Sequence, residues 1–337
     1  MAVTLKEVAA LAGVSRSAVS RCFTEGASVA PTTRERIHAA ADRLGYRPNA
    51  LASSLTTGRT KLVGLVSNNF HNPIFLEVFD LCTRALQDAG LRPLLVNLTD
   101  STDAEASLRL LQQYSVDAAV IASSTLPVSF AERFQEAGLP VVHAFGRYAP
   151  APKVNVVGID NKEAGQIAAR TLIARGYRRI AMLAGPATAT STEDRLLGFL
   201  DALKAEPGIE VTTSFASAYS YDAGWDEMRR LISDGPLAEA YFCGDDVLSI
   251  GVMAALQDAG LRVPEDVGLI GFNDMEMARW GNINLTTIRQ PIAEVVRLSV
   301  QMVQDILGQD DETAAAPKAH LLTCEMIERG SLRGDVG

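Results

Sequence analysis

The stretch TLKEVAALAGVSRSAVSRCFT, residues 4–24, predicts two short helices joined by a tight turn. Thr4 and Glu7 have the spacing of a capping box, in which each side chain accepts a hydrogen bond from the backbone N–H of the other residue. Apolar residues then recur at helical spacing until Gly13, which favours the left-handed conformation that ends a helix. Because Ser15 can cap the second helix, the stretch has the plan of a helix-turn-helix motif.

The next segments extend this small helical unit and then change character. PTTRERIHAAADRL, residues 31–44, has a proline in its first turn and is followed by glycine, which predicts a third helix. YRPNALASSLTTGRTK, residues 46–61, is small and polar with spaced leucines, and so short a segment is not a stable helix in isolation. The domain division that we expect is a helix-turn-helix domain over 1–46, a hinge helix or linker over 47–60 and a larger core over 61–337.

Charge is unevenly distributed along the sequence. The 337 residues carry a formal charge of −9, which taken alone argues against a nucleic-acid binder. The first sixty residues, however, contain eight basic and four acidic side chains, a charge of +4, which leaves −13 for the remainder. This asymmetry indicates a basic module joined to a larger acidic one.

Composition excludes several other classes of protein. The apolar fraction of 47% and the charged fraction of 21% are those of an ordinary globular chain, which argues against wholesale disorder. No stretch approaches the ~20 apolar residues of a membrane span, and the N-terminus lacks the apolar core of a secretory signal. The cysteines form no CxxC pattern, so we expect buried thiols in a reduced, cytoplasmic protein rather than disulfides or a zinc site.

The second predicted helix presents side chains that are suited to reading DNA. Arg16 and Ser17 lie near its N-terminus on the exposed face, where a recognition helix contacts base edges in the major groove. An arginine at such a place can form a bidentate contact with guanine. The side chains that can hold phosphates and fix the register are Ser15, Ser20, Arg21 and Thr33. Exposed basic residues on small helices are usually just solvated, so this pattern alone leaves both interpretations open.

From Leu62 onward, apolar strand candidates alternate with amphipathic helices. Continuous apolar strands between helices indicate parallel sheets that are covered on both faces. About 270 such residues exceed one small doubly wound domain, and the run over roughly 161–285 can form a second sheet. A ligand would then bind beyond the carboxyl ends of the strands, in the cleft between two lobes. The predicted strands are 62–67, 92–98, 117–123, 139–145, 154–160, 179–185, 238–244 and 267–272, with helices near 74–89, 103–113, 161–175, 192–204, 222–233 and 245–259.

Ordered motifs run along almost the whole chain. VTLKEVAALAGVSRSAVSR and PTTRERIHAAADRLGYRPNALASSL are followed by GLVSNNFHNPIF, RLLGF, FCGDDVLSIG, LRVPEDVGLIGFND, LTTIRQP and CEMIERGS. In kind and spacing these motifs resemble those of the LacI/GalR family of bacterial transcription repressors. The resemblance implies an all-α helix-turn-helix domain with a hinge helix, then an α/β core of two doubly wound, Rossmann-like lobes similar to periplasmic binding proteins. It also implies a homodimer that binds a near-palindromic operator, with one recognition helix in each half-site.

The resemblance gives the linker a role. In the family, the residues that match Ala50–Thr57 become helical on operator binding, and the paired hinges enter the minor groove. The residue that matches Leu55 wedges between central base pairs, and such a wedge kinks the duplex. Asn49 and Ala52 match further hinge contacts, and Tyr46 matches a residue that packs beside them. Without the resemblance, packing against the core lobe would be the preferred interpretation of Leu55.

The predicted DNA-binding set departs from the family at one phosphate-contacting position. Thr24 stands where relatives often carry asparagine, although threonine can still donate one hydrogen bond. By the resemblance, Arg16, Ser17 and Ala18 determine the operator preference. The full set that we predict is Thr4, Leu5, Ser15, Arg16, Ser17, Ala18, Ser20, Arg21, Thr24, Thr33, Tyr46, Asn49, Ala52 and Leu55.

The resemblance also assigns side chains to the predicted cleft. The arginine that matches Arg195 grips ligand hydroxyls or carboxylates with its planar donor fork. Asp245 and Asn273 stand where many members carry asparagine and aspartate respectively, so the two positions exchange a carboxylate and an amide. These groups, with stacking aromatic rings, suit a polyhydroxylated ligand such as a sugar or sugar acid, although each residue alone could be a structural one at a strand end. The full effector-binding set that we predict is Asn68, Phe75, Arg147, Ser191, Arg195, Tyr219, Asp245, Asn273 and Gln290, of which Arg147 alternatively lies on the surface.

Two other function classes compete with a regulator. The Asp245–Asp246 pair would suggest acid/base or metal chemistry, yet no GxSxG, Walker A or HExxH pattern accompanies it. A transport-binding protein would share the cleft but carry an export signal and no helix-turn-helix. We therefore predict a non-enzymatic repressor, without metal or cofactor, whose ligand moves the lobes, separates the hinges and releases DNA. The alternative is a corepressor-dependent regulator of the same family.

Overall fold

The structure is a computed structural model that describes residues 3–24, 27–47, 54, 58–68, 70–98, 104–204, 206–308 and 316–334. By its internal contacts the chain divides into two units, Met1–Lys61 and Leu62–Gly337. Each unit has an apolar core of its own. Within the described ranges, none of the helices is both long and apolar enough to cross a membrane.

Three helices lie within the described residues 3–47 of the first unit, as the sequence predicts. They are α1 (Leu5–Ala12), α2 (Arg16–Cys22) and α3 (Pro31–Leu44). Val8, Val19 and Ile37 contribute one fully buried side chain from each helix, so the three helices share a single small core.

Side-chain contacts fix the turn between α1 and α2. The predicted capping box is present: the N–H of Glu7 donates to Thr4 Oγ1 over 3.4 Å, and the N–H of Thr4 donates to Glu7 Oε2 over 2.7 Å. Gly13 ends α1 with a φ of 60°, and Arg36 of α3 donates to its carbonyl over 3.2 Å. Ser15 caps α2 at the other side of the turn. The start of α2 is therefore fixed by the Ser15 cap and by the contact of Arg36 with the preceding turn.

The second unit alternates strands and helices, as the apolar runs of the sequence predict. Its described strands are β1 (Leu62–Ser67), β2 (Arg92–Asn97), β3 (Ala118–Ala122), β4 (Val141–Ala144), β5 (Asn155–Ile159), β6 (Arg179–Ala184), β7 (Glu210–Phe215), β8 (Ala240–Cys243), β9 (Gly268–Asn273), β10 (Thr287–Arg289), β11 (Ala319–Leu322) and β12 (Glu325–Ile327). Its described helices are α4 (Ile74–Asp88), α5 (Ala104–Gln113), α6 (Val128–Glu136), α7 (Asn161–Ala174), α8 (Thr190–Lys204), α9 (Tyr221–Asp234), α10 (Asp246–Asp258) and α11 (Ile292–Gly308), with a 3₁₀ turn at Glu276–Arg279.

Two sheets divide this unit into two lobes. The first sheet has the order β11-β5-β4-β3-β1-β2, with parallel pairing throughout. The second has the order β12-β10-β9-β8-β6-β7 and is parallel apart from β12, which runs antiparallel to β10. Strands β3, β8 and β9 are buried along their whole length, as expected of sheets with both faces covered. The predicted pair of doubly wound lobes is confirmed.

The chain passes between the lobes more often than the sequence predicts. The second sheet extends past the predicted range of 161–285, because β10 and β12 also belong to it. In between, α11 packs on α4 and β4 of the first lobe, and β11 pairs with β5 at the edge of the first sheet. Each lobe is thus assembled from separated parts of the chain, and the crossover beside Gln290 borders the cleft between them.

Candidate functional site

A cleft lies between the two lobes, where the sequence predicts a ligand. The space between its lining atoms is about 390 Å³ including open solvent, but only about 20 Å³ of it can hold the centre of a water molecule, so the lining side chains nearly close the cleft. Six of the nine predicted effector residues line it, namely Phe75, Arg195, Tyr219, Asp245, Asn273 and Gln290. The other lining residues are Asn72, Ile74, Val78, Ser124, Phe145 and Gly244.

Asp245 is the centre of a hydrogen-bond network that joins the lobes. Its Oδ2 accepts from Asn72 Nδ2 of the first lobe over 2.8 Å and from Asn273 Nδ2 of the second over 2.7 Å. Its Oδ1 caps α10 by accepting from the N–H of Val247 over 2.8 Å. Asn273 Oδ1 accepts in turn from Gln290 Nε2 over 2.6 Å. Burial raises the pKa of Asp245 to about 6, so above that pH the group is a buried anion held by donors from both lobes.

Asn273 is aimed into the cleft by an unusual turn after β9. Its φ of 112° and the φ of 57° at Asp274 are positive, a conformation that residues other than glycine rarely adopt. Asp246 holds this turn, since its Oδ2 accepts from the N–H of Met275 over 2.8 Å and its Oδ1 from Thr287 Oγ1 over 2.6 Å. Burial raises the pKa of Asp246. Both carboxyl oxygens of Asp246 therefore hold the turn that positions Asn273.

Arg195 projects a buried guanidinium from α8 toward the cleft. Its Cζ lies 3.6 Å from the centroid of the Phe272 ring. Its Nε donates to Asn161 Oδ1 and its Nη1 to the carbonyl of Gly244, each over 2.7 Å. Burial lowers the pKa of Arg195, but an arginine remains charged at neutral pH even so. The guanidinium is thus fixed in orientation by one ring and two hydrogen bonds.

Close packing of α7 on α8 positions the backbone that carries Arg195. A Cβ added to Gly165 would lie 2.1 Å from the carbonyl oxygen of Arg195. One added to Gly198 would lie 1.9 Å from the carbonyl oxygen of Lys162. Only residues without a side chain fit at this helix crossing, so the two helix backbones touch directly beside the cleft.

Aromatic rings from both lobes form walls of the cleft. Phe75 lies in the first turn of α4, and Phe145 follows β4 with a φ of 63°. Tyr219 faces them from the second lobe, and its hydroxyl lies 2.7 Å from Thr192 Oγ1 and 3.5 Å from Ser191 Oγ. Ser191 therefore contacts the tyrosine that lines the cleft rather than lining the cleft itself.

Asn68, which the sequence assigns to the effector, is engaged inside the first lobe. Its Nδ2 donates to Thr125 Oγ1 and its Oδ1 accepts from Ser123 Oγ, each over 2.9 Å. The carbonyl of Ser123 lies 3.0 Å from Nε2 of the fully buried His143. Burial lowers the pKa of His143 to about 4. This polar cluster lies at the carboxyl-terminal ends of β1, β3 and β4, and none of its described members lines the cleft.

Arg147, also assigned to the effector, connects the lobes instead of lining the cleft. It follows β4 of the first lobe and donates to Glu193 Oε2 over 2.9 Å and to Asp194 Oδ1 over 2.5 Å. Both acids lie on α8, directly before Arg195. A second contact beside it joins Thr190 Oγ1 to the carbonyl of Ser124 over 3.3 Å.

Sequence reasoning missed six of the lining residues, of which Asn72 and Phe145 bring an amide and an aromatic ring to the cleft. Asn72 directly precedes Pro73, and its Oδ1 accepts from the N–H of Ile74 at the start of α4. An asparagine followed by proline between a predicted strand and a predicted helix was the available signal, because it places a polar side chain at the strand's carboxyl end. Phe145 belongs to the same bend as Arg147, which was the residue that the sequence favoured there.

The helix-turn-helix presents the predicted DNA-binding side chains in three settings. Those exposed to solvent are Thr4, Ser15, Arg16, Ser17 and Arg21. Those partly buried are Leu5, Ala18, Ser20, Thr24 and Thr33, while Tyr46 belongs to the core. Asn49, Ala52 and Leu55 lie outside the described residues. The exposed groups at the start of α2 form a surface that can enter a groove of DNA.

Comparison with known proteins identifies the family. Residues 4–49 match the model described as bacterial regulatory proteins, lacI family, and residues 169–332 match a periplasmic binding protein-like domain. The HTH-type transcriptional regulator CelR of Thermobifida fusca is 34% identical over 319 residues, which cover 92% of this chain and 93% of CelR. The chain belongs to the LacI family. This LacI-family protein is a DNA-binding transcriptional regulator and not an enzyme, as the sequence predicts.

Solved structures of the LacI family share its fold over the whole chain. A CelR–cellobiose complex is 32% identical, with a TM-score of 0.72 over 98% of this chain and 99% of that chain. The lac repressor dimer bound to operator and the anti-inducer ONPF is 25% identical, with a TM-score of 0.87 over 99% and 100% of the two chains.

Among the described residues of this LacI-family chain, no group of three or more His, Cys, Asp or Glu side chains could hold a metal ion.

Proposed function

We propose that this LacI-family regulator is a homodimeric repressor whose operator affinity is controlled by a small polyhydroxylated ligand, a sugar or sugar acid, in the cleft between its lobes. The observation that carries the proposal is that Arg195, Asp245 and Asn273 line the same cleft as the rings of Phe75 and Tyr219. Vicinal hydroxyls can each donate to a carboxylate and accept from an amide or guanidinium. Aromatic walls cover the C–H face of such a ring.

The relatives support this ligand class. CelR is solved in complex with cellobiose, a sugar, and it covers nearly the whole of this chain. Relative to many family members, the carboxylate and the amide have exchanged places at Asp245 and Asn273. The cleft still presents both kinds of group, with Asn273 Nδ2 2.7 Å from Asp245 Oδ2. We therefore assign the effector to the lined cleft, with Ser191 acting through Tyr219 and with Asn68 and Arg147 supporting the lining.

On the DNA side, the proposal assigns recognition to the start of α2. Arg16 and Ser17 would contact base edges, and Ser15, Ser20 and Arg21 would contact phosphates. Leu55 of the hinge would wedge into a central base step of the operator. The lac repressor binds its operator as a dimer, which supports a paired arrangement here. Such a regulator acts in the cytoplasm, where the DNA is.

Control requires that the ligand distinguish two states of the lobes. In the proposed mechanism, the ligand replaces contacts across the cleft such as Asn72–Asp245, moves the lobes and separates the paired hinges. The coupling is reciprocal, so operator DNA must lower the affinity for an inducer by the same factor. A corepressor would instead bind more tightly in the presence of the operator.

In vitro selection with the full chain and random duplex DNA, followed by anisotropy titrations with a panel of sugars and sugar acids, tests the proposal. We expect a near-palindromic selected sequence and at least one compound that changes operator affinity, the sign of which separates inducer from corepressor. Affinity should also fall steeply with salt, because phosphate contacts release counterions. Failure to select any DNA sequence, or selected DNA that no compound of the panel affects, would overturn the corresponding half of the proposal.

A further inference from the structure

The charges that line the cleft are nearly balanced before any ligand enters. Among the described lining residues, Arg195 and Asp245 carry a formal charge. Asp194 also lies near enough to Arg195 to raise its pKa, in opposition to the larger effect of burial. At the rim, Asp194 and Glu193 both accept hydrogen bonds from Arg147. These five side chains are two guanidinium groups and three carboxylates, and the buried carboxyl group of Asp246 lies next to Asp245 in addition.

Two of the five N–H groups of Arg195 are committed inside the protein, which restricts how it can hold a carboxylate but leaves three N–H groups for a ligand. A side-on bidentate contact with a carboxylate uses the Nε–H and one Nη–H of the guanidinium. In the structure, the Nε–H is already donated to Asn161 and an Nη1–H to the carbonyl of Gly244. Both acceptors are buried, so releasing either would leave an unpaired polar group.

Asp245 is fixed in place as the nearest anion to an incoming ligand. Its side chain is buried, and its position is set by Asn72, Asn273 and the first turn of α10. A ligand hydroxyl can donate a hydrogen bond to this carboxylate, whereas an ionised ligand carboxylate can only accept. Like charges brought together in a desolvated site repel strongly.

We infer that the cleft selects uncharged polyhydroxy compounds over the corresponding sugar acids, and that Asp245 is the residue that sets this preference. The inference rests on the proposed function and narrows its ligand class. The charge of Arg195, which would otherwise attract an acid, is offset by the carboxylates beside it. The carboxylate lies at the N-cap of α10, where it contacts residues of both lobes.

Calorimetric titration of the full chain with matched pairs tests the inference. The pairs are glucose and gluconate, galactose and galactonate, and cellobiose and cellobionate, each at about pH 8, where Asp245 is ionised. For any pair that binds, we expect the neutral member to bind at least about tenfold more tightly. Equal affinity, or tighter binding of the acid, would overturn the inference and leave the sugar-binding function intact. If no member of any pair binds, the sugar-binding function fails and the inference fails with it.

The role of Asp245 is tested by removing its charge. Asp245→Asn keeps the size of the side chain and one acceptor oxygen. It should reduce the difference in affinity between a neutral sugar and its acid to about threefold or less. Asp245→Ser keeps an N-cap oxygen for α10, so it repeats the test if the amide variant does not fold. Asp88→Asn makes the same chemical change on the exposed surface at the end of α4 and should leave the difference unchanged. If a folded Asp245 variant keeps the wild-type difference in affinity between sugar and acid, Asp245 does not set the preference.

Discussion

Arg147 of the first lobe and Asp194 of the second form an ion pair with an N–O distance of 2.5 Å, beside the cleft that separates the lobes. Asp194 is largely buried and directly precedes Arg195, so the pair links the loop after β4 to the helix that carries the cleft guanidinium. Glu193 accepts a second hydrogen bond from the same arginine. The arrangement of the two lobes is thus stabilised at its rim by contacts between protein side chains.

Arg147→Ala should loosen the start of α8. A half-buried ion pair of this kind contributes about 1 kcal/mol, so backbone amides of Thr190–Arg195 should exchange hydrogen about fivefold faster in the ligand-free protein. Arg133→Ala, which breaks an exposed pair with Glu105 inside the first lobe, provides the control. Exchange of these amides at the wild-type rate, measured by mass spectrometry, would show that the rim pair does not hold the lobes.

Thr4→Ala should destabilise α1 selectively. The substitution removes the acceptor of the capping box and leaves the N–H of Glu7 without its side-chain partner, a loss of about 1 kcal/mol. We expect the amides of α1 to exchange several-fold faster while those of the lobes are unchanged. Thr4→Ser keeps the oxygen and should restore the wild-type rates; if both variants exchange alike, the cap contributes nothing.

Arg16→Ala and Arg21→Ala should weaken operator binding in different ways. Loss of a base contact at Arg16 costs roughly 1–3 kcal/mol on the selected operator and relaxes the sequence preference at one base pair. Loss of a phosphate contact at Arg21 weakens binding to all sequences equally and reduces the salt slope by about one. Anisotropy titrations with the selected operator and single-base variants at several salt concentrations distinguish the two. An Arg16 variant with unchanged sequence preference would place the base contacts elsewhere.

His143 should make the protein less stable as the pH falls. Its pKa in the folded protein is about 4, well below the ordinary value of 6.5, because burial disfavours the charged imidazole. Between these two pKa values the unfolded chain binds a proton that the folded chain does not. The contribution of neutral His143 to the free energy of unfolding is therefore fully present above pH 6.5 and is lost as the pH falls toward 4. The total is on the order of 3 kcal/mol.

Chemical unfolding across that pH range measures the effect. His143→Gln should flatten the pH dependence of the free energy of unfolding relative to the wild type, whereas His71→Gln, at an exposed position, should not. An NMR titration of the wild type gives the same answer without a variant: a His143 imidazole that protonates near pH 6.5 would contradict the prediction.

Local signals in the sequence account for most of the helices and strands. Thr4, Gly13 and Gly45 mark helix ends through caps and left-handed turns, which depend only on neighbouring residues. Strand β7 was missed because Glu210–Phe215 is an exposed edge strand and lacks an apolar run. The return of β11 to the first sheet was missed because pairing between distant segments leaves no trace in either segment alone.

The lining residues of the cleft could be predicted where few residue types can bind a ligand. They could not be predicted where contacts between distant parts of the chain decide which side chains reach the cleft. Asp245, Asn273 and Arg195 were assigned through the resemblance to the LacI/GalR family, and all three line the cleft. Arg147 and Asn68 also lie near strand ends, but each has found protein partners, which no spacing rule reveals. Asn72 acquires its importance only because the lobes bring it to Asp245.

The late position of β11 in the chain affects the order in which the protein can be made. Because Ala319–Leu322 completes the edge of a sheet that starts at Leu62, the first lobe lacks a strand until residues 319–322 have left the ribosome. Until then β5, an inner strand of the finished sheet, presents unpaired backbone groups to other chains. A chain truncated before residue 319 should therefore keep its helix-turn-helix yet aggregate through this edge, and such a fragment would not be a useful minimal sensor.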